Sequence, residues 1–334
     1  MNFMKKNKVV ITGGAGFIGS HLSEYLKKKN YQVVVIDNLS SGNINNLSKG
    51  VKFYNFDISK KNKKFEKVFD NAKYVFHLAA LADIVPSIEN PQRYYDVNVT
   101  GTLNVLSACL KKKVKKIIYA ASSSCYGIPK KFPTNEKSEL LPQYPYALTK
   151  MLGEELIKHW GLVYKIKYTS LRLFNVYGTR SRTSGGYGAM FGVFLAQLAN
   201  KKPFTIVGKG NQKRDFTYVT DVCRAFHLSA INKKADFKIL NVGSDNPQTV
   251  NKIAKILDKN AKIINLPKRP GEPDLTFADT KEIKKILNWR AQISIEEGIA
   301  VLKKNLFLWK RAPLWNKQKI AKATKLWFKF LKNG

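Results

Sequence analysis

The chain has 334 residues, 44% of them apolar, and a formal net charge of +36 from 59 Lys and Arg against 23 Asp and Glu. That length and apolar content bury a full core, in one large domain or two, and read as an ordinary soluble globular protein. Only 9 of the 59 basic residues are arginine, and the lysines are scattered (Lys27 to Lys29, Lys60 to Lys64, Lys111 to Lys116), so the charge reads as a lysine-biased surface, not a footprint for a specific nucleic acid or anionic membrane.

No apolar run reaches membrane-span length, and Met1 to Lys8 leaves no room for a signal peptide before the first strand, which predicts a cytoplasmic protein without a membrane span. Cys109, Cys125 and Cys223 have no CxxC spacing and no histidine cluster beside them, so neither a disulfide framework nor a metal site is expected. They read as reduced and, Cys125 apart, structural.

In chain order, strands are predicted at Val9 to Thr12, Gln32 to Ile36, Lys52 to Asn55, Tyr74 to His77, Lys116 to Ala121 and Lys167 to Leu171. Helices are expected at Phe17 to Lys29, Pro91 to Leu110 and Tyr146 to Val163, two of them introduced by a proline suited to a first helical turn. Such alternation predicts an α/β, doubly wound parallel sheet covered on both faces. After Arg172 it gives way to a glycine-rich loop (Ser184 to Gly188), a helix, a strand Phe204 to Val207 and mixed helices, which suits a smaller C-terminal α/β substrate domain. The expected division is 1–172 plus about 215–244, and about 173–214 plus 245–334. The basic, aromatic tail from Trp309 to Gly334 reads as a helix docked on the body through Ile320, Leu326, Phe328, Phe330 and Leu331.

Gly13-Gly14-Ala15-Gly16-Phe17-Ile18-Gly19 follows the first strand and opens the first helix. Gly13, Gly16 and Gly19 let the chain turn, let a pyrophosphate reach backbone amides beside Phe17 and Ile18, and let helix pack on strand. The second strand ends at Asp37-Asn38, where a carboxylate binds both hydroxyls of an adenosine ribose. Asp37 would repel the extra phosphate of NADP, so NAD is the expected cofactor. Asp57 and Ile58, after the third strand, are candidates to flank the adenine, with a solvated loop acid the alternative for Asp57.

Tyr146 and Lys150 are one turn apart on a predicted helix, where an ammonium can lower the phenol's pKa. A tyrosine tuned this way moves a hydroxyl proton near neutral pH, which points to alcohol oxidation by hydride transfer. Ser122, at the end of the predicted strand Lys116 to Ala121, is placed to hold the same substrate oxygen.

Together, Thr12-Gly13-Gly14-Ala15-Gly16-Phe17-Ile18-Gly19-Ser20-His21, His77-Leu78-Ala79-Ala80, Asn98-Val99-Thr100-Gly101-Thr102, Ser122-Ser123-Ser124 and the pair Tyr146, Lys150 resemble the extended short-chain dehydrogenase/reductases. More narrowly, the chain is similar to the nucleotide-sugar epimerases, especially UDP-hexose and UDP-N-acetylhexosamine 4-epimerases, over nearly its whole length. The resemblance implies a Rossmann domain holding NAD, with Leu78, Ala79 and Ala80 against the cofactor. It also implies Tyr146 as acid/base, Lys150 on the nicotinamide ribose and tuning Tyr146, Ser122 completing the site, and Asn98 supporting the lysine through backbone and water contacts.

For the substrate, it implies contacts from Ser87, Ser122, Ser123, Ser124 and Tyr146, with a polar loop the alternative for Ser123 and Ser124. Asn175 would contact a phosphate, and Arg214 and Arg269 would clamp the diphosphate, a task arginine's planar fork suits better than lysine. Asp274 would bind the uridine ribose or cap a loop. Dehydrating relatives carry Asp-Glu, and decarboxylating ones the glutamate, where this chain has Ser123 and Ser124. What the resemblance leaves is NAD-dependent 4-epimerisation of a UDP-sugar. Thr276, small at a position that lines the hexose pocket, implies room for an N-acetyl group or a uronate. UDP-glucuronate 4-epimerisation, another nucleotide-sugar epimerase or reductase, and a non-catalytic NAD- or polyanion-binding protein are the alternatives. A homodimer paired through Pro91 to Leu110 and Tyr146 to Val163 is implied by the resemblance.

Overall fold

The computed structural model describes residues 6–60, 62–181 and 188–331. Six strands, β1 (Lys8–Thr12), β2 (Gln32–Asp37), β3 (Lys52–Asn55), β4 (Ala72–His77), β5 (Lys116–Ser122) and β6 (Lys167–Leu173), join a later strand, Lys238–Val242, in one sheet. All pairings are parallel, in the order β3-β2-β1-β4-β5-β6 followed by Lys238–Val242. Such a sheet needs cover on both faces, and the β-branched runs supply it: Val9 and Ile11 enter one apolar cluster, Val10 the other. The order reverses between β1 and β4, which opens a crevice at the carboxyl ends of those strands.

The helices are α1 (Phe17–Lys28), α2 (Lys63–Lys67), α3 (Ile84–Glu89), α4 (Pro91–Tyr95), α5 (Gly101–Lys111), α6 (Pro145–Tyr164), α7 (Met190–Ala199) and α8 (Val219–Ile231), followed by shorter ones to the C-terminus. The predicted helix Pro91 to Leu110 is interrupted by a π-helical turn at Asp96–Thr100, a widening that is frequent at functional sites. Helix α6 starts with Pro145 at its first turn and stops at Lys165, whose left-handed backbone (φ 57°) ends the helical path. Its buried residues Ala147, Lys150, Gly153, Glu154, Ile157 and Gly161 form one stripe laid on β5 and β6. Gly153 and Gly161 are required there, because a Cβ at either would collide with the rings of Tyr119 and Tyr168. This close approach brings Lys150 and Glu154 down onto the sheet.

Beyond β6, three short pairings build the second region: Asn175–Tyr177 with Phe216–Tyr218, Lys213–Arg214 with Gln248–Thr249, and Phe204–Val207 with Ile263–Leu266. One apolar cluster runs without a break from Val9 through Phe226 and Trp289 to Trp309. The predicted glycine-rich loop lies, apart from Gly188, outside the described residues. Among the described residues, no helix is long and apolar enough to cross a membrane.

The tail forms two short helices, Lys317–Ala323 and Lys325–Phe330. Ile320 is buried as expected, but Phe330 is exposed and the buried anchor of the last helix is Trp327. The helix is too short to bury residues on every side, and its indole has a hydrogen-bond partner inside the body.

Candidate active site

The turn after β1 is built for close approach. Gly13 has φ +72°, and a Cβ there would sit 2.6 Å from the Ala79 nitrogen, so the segment Leu78-Ala79-Ala80 lies directly against the turn. A Cβ at Gly19 would collide with the Gly13 carbonyl oxygen. Phe17 and Ile18 begin α1 with Gly16 as its cap, so free amides face the crevice. The Asp37 carboxylate accepts from the Ala15 amide (3.0 Å) and the Leu39 amide (2.8 Å). Burial pushes its pKa up and these amides oppose the rise. It is thereby fixed beside the glycine turn, with lone pairs left for ribose hydroxyls. Asn38 accepts from the Ser40 amide at the same strand end. This cradle, with no arginine in the turn itself, fits NAD and disfavours the extra phosphate of NADP.

Asp57 faces burial, which raises its pKa, but Ser59 and Arg93 outweigh this and hold it down to about 2. Ile58 is buried against Gly101 at the head of α5, and its carbonyl accepts from Asn104.

On the other side of the crevice, Ser122 closes β5 and its Oγ caps the 3-10 turn Ser123–Tyr126, accepting from the Ser124 amide (3.2 Å). The Ser122 and Ser124 hydroxyls lie 2.8 Å apart. Tyr146, in the first turn of α6, is half-buried with its phenol toward these two hydroxyls. Burial raises its pKa, and the Ser122 and Ser124 hydroxyls oppose the rise. Lys150 is 4% exposed, its Nζ 4.2 Å from the centroid of the Tyr119 ring, and burial brings its pKa down to about 7 against the opposing charge of Glu154. Desolvation is the largest influence on the proton affinity of both groups, and the lysine charge rests on the face of Tyr119.

Asn98, in the π-helical turn, accepts from the Leu81 amide (2.8 Å) and donates to the Leu81 carbonyl and the Thr149 hydroxyl (3.0 Å each). The widened turn thus fixes the chain after β4 and the residue before Lys150.

Several polar residues here were not singled out from the sequence. In register across the sheet, Thr12, His77, Tyr119 and Ser170 stand side by side, the last two on the strands that α6 covers. The Ala79 amide donates to Thr12 Oγ1, which donates to His77 Nδ1 (2.7 Å); His77 Nε2 donates to Thr102 Oγ1 (2.9 Å), which donates to the Asn98 carbonyl. That chain fixes a neutral Nε2–H imidazole, consistent with a pKa pushed down to about 3 by burial. Further along, Ser170 and Arg172 converge on Glu154, the Arg172 to Glu154 contact being 2.6 Å with both side chains buried. Arg172 also donates to the Tyr126 hydroxyl, which donates to Asn241. The only sequence signal for this row was polar residues interrupting otherwise apolar strands.

Among the predicted substrate residues, Ser87 is fully buried and spends its hydroxyl on the Ile84 carbonyl, so this arrangement offers it to no ligand. Thr276 donates to Asn175 Oδ1 (3.0 Å) and accepts from the Asp215 amide, which joins these two residues beside Arg214. The buried Asp215 carboxylate organises that wall by accepting from Ala278 and Ser244. Arg214 donates to the carbonyls of Lys213 and Asp274. Burial lowers its pKa, Glu272 opposes, and the Arg269 charge lowers it further, so the two guanidiniums are near enough to act on one another. Arg269 pairs with Glu272 (3.0 Å). Asp274 is exposed and its carboxylate pairs with Lys268 (2.8 Å). Cys125 is buried, with a thiol pushed up to about 12, so it is not a nucleophile.

A family model described as the NAD dependent epimerase/dehydratase family matches residues 9–243. A putative UDP-glucose 4-epimerase of Methanocaldococcus jannaschii is 37% identical over 297 residues, 87% of this chain and 95% of that protein. The structure of a UDP-glucose 4-epimerase from Thermotoga maritima with UDP-glucose superposes with a TM-score of 0.84 at 33% identity, covering 90% of this chain and 99% of the other. A UDP-glucuronic acid 4-epimerase from Bacillus cereus, in complex with UDP-glucuronic acid and NAD, gives 0.83 at 31% identity, covering 90% and 99%.

Proposed function

Because the chain belongs to the NAD-dependent epimerase/dehydratase family, we propose that it inverts C4 of a UDP-linked hexose through a 4-keto intermediate. The observation that carries this reading is the cluster of Ser122, Ser124, Tyr146 and Lys150 opposite the glycine turn, with serines and no carboxylate on the 3-10 turn. When bound, NAD supplies a hydride acceptor that later returns the hydride, so the reaction needs no outside oxidant or reductant. The backbone of Gly13 to Gly19 would hold its pyrophosphate, Asp37 and Asn38 its adenosine ribose, and Leu78 to Ala80 and Ile58 its flanks.

Tyr146 takes the C4 hydroxyl proton as the carbon becomes a ketone and gives a proton back when the carbon is reduced on its other face. Ser122 and Ser124 hydrogen-bond the phenol and the reacting oxygen, offsetting part of the cost that burial imposes on the phenolate. Lys150 sets the charge beneath the site and would contact the nicotinamide ribose, while Asn98 fixes the turn before it. Asn175, Arg214 and Arg269 would take the diphosphate, with Ser123, Asp274 and Thr276 toward the rest of the nucleotide sugar. The functional division follows: 1–172 plus about 215–244 for NAD, and about 173–214 plus 245–334 for the nucleotide sugar.

A side chain as small as Thr276 in the hexose pocket would admit an N-acetyl group or a carboxylate, and the likeness to a UDP-glucuronic acid 4-epimerase keeps a uronate as the second reading. Exposed Tyr95, Leu110, Leu148 and Leu162 on α4, α5 and α6 support a homodimer through these helices. The function is tested by incubating the protein with UDP-glucose, UDP-galactose, their N-acetylated forms and UDP-glucuronate and following products by NMR. Tyr146→Phe should retain NAD and lose turnover by at least ~100-fold; substantial turnover in that variant refutes the assignment.

A further inference from the structure

We propose that Trp327, in the last helix of the tail, is a positioning residue that holds the Arg269 segment over the diphosphate end of the site. The proposal rests on the nucleotide-sugar reading for what Arg269 binds, but not for how Arg269 is held.

Three contacts converge on this side chain, and a fourth lies beside it. Its indole N–H donates to the Pro270 carbonyl at 2.8 Å. The Arg269 guanidinium lies over its ring, 5.3 Å from the centroid, within the range of a cation–π contact. The Tyr144 ring packs against it at 6.0 Å, and Tyr144 in turn stacks on Tyr146 with planes 6° apart. Leu331, on the same segment, sits beside Gly271, whose φ of +72° turns the chain back after Pro270.

Arg269 is thereby restrained on two sides, by Glu272 through charge and by Trp327 through its ring face. The Arg214 charge nearby works against Arg269, and Glu272 works for both. An aromatic face attracts the guanidinium without neutralising it, so the charge remains for phosphate oxygens. The tail is itself tied to the body. The buried Trp309 indole donates to the Ser181 carbonyl, Gln197 donates to the Trp315 carbonyl, and the helix Lys325–Phe330 packs on α3. The relatives described above are matched over 95% to 99% of their own lengths but cover only 87% to 90% of this chain. This protein therefore carries residues with no counterpart in them.

The test uses the full-length chain with Trp327→Leu, and with Trp327→Phe, which keeps a ring face but loses the N–H. Amide hydrogen exchange over 268–276, measured without substrate, should speed up in Trp327→Leu by about tenfold, the equivalent of losing the indole hydrogen bond and ring contact together, and by less in Trp327→Phe. Calorimetric titration with UDP should show about tenfold weaker binding for Trp327→Leu, partly restored in Trp327→Phe, with bound NAD close to the parent. Unchanged exchange in either Trp327→Leu or, if that variant does not fold, Trp327→Phe overturns the positioning role. So does looser exchange with unchanged UDP affinity. A parent chain that binds no UDP refutes the nucleotide-sugar reading instead, and the exchange measurement still decides what Trp327 does.

Discussion

Replacing Lys150 by methionine should make the protein more stable and inactive, with a stability gain that depends on pH in a calculable way. Burial lowers the Lys150 pKa from 10.5 to about 7. At ~1.4 kcal/mol per tenfold change in proton affinity, carrying this charge costs the fold about 5 kcal/mol where the lysine is fully protonated in both states. The sign follows from proton counts. Between the folded and unfolded pKa values the unfolded chain binds more protons, so stability rises with pH across that window. The cost is fully present below about pH 7, is about 4 kcal/mol at pH 7 and about 2 kcal/mol at pH 9, and vanishes above the unfolded pKa. Methionine has no charge to desolvate, although it forfeits the contact with the Tyr119 face, worth ~1 kcal/mol. Urea unfolding of nucleotide-free parent and Lys150→Met at pH 7, 8 and 9 should show the variant ahead at pH 7 by about 3 kcal/mol, with the lead shrinking by about 2 kcal/mol at pH 9. Groups that titrate alike in both proteins cancel in the difference. A lead that stays constant from pH 7 to 9, or a variant less stable at pH 7, would refute the claim that desolvation dominates at Lys150.

Glu154→Gln leaves the buried Arg172 charge without its counter-ion and should cost about 3 kcal/mol in urea unfolding at pH 7, a loss below ~1 kcal/mol counting against a tightly coupled pair. Asp37→Ser should weaken NAD binding by about 10- to 100-fold, the worth of charge-assisted hydrogen bonds, and erase the preference over NADP; fluorescence titration with both dinucleotides checks this. Thr276→Tyr should lower turnover of N-acetylated UDP-sugars by at least ~10-fold relative to the plain hexoses, and equal rates on both classes would remove Thr276 from the sugar pocket.

The chain's local signals carried most of the architecture. Continuous Val-rich runs, Gly13 to Gly19 between strand and helix, Asp37 at a strand end and Pro145 before Tyr146 each encode their own conformation within a few residues, and six strands of the parallel sheet follow from repeating that pattern; the seventh, Lys238–Val242, was not read from the sequence. The same residues point to the cofactor and to the proposed acid/base tyrosine, because glycine turns, a strand-end carboxylate and a tyrosine and lysine one helical turn apart are short-range arrangements.

Tertiary structure decided what depends on burial and on register between distant strands. It aligned Thr12, His77, Tyr119 and Ser170 from four strands into one polar row, and no spacing along the chain relates them. It set Lys150 on the ring of Tyr119 and buried both Lys150 and Tyr146, and the cost of removing each group from water depends on everything packed around it. It turned Ser87 inward onto Ile84, and it carried Trp327 from the end of the chain to Pro270 and Arg269. A sequence specifies which residues can do chemistry; which of them meet, and with what proton affinity, is fixed only when the sheet, α6 and the tail exclude water around them.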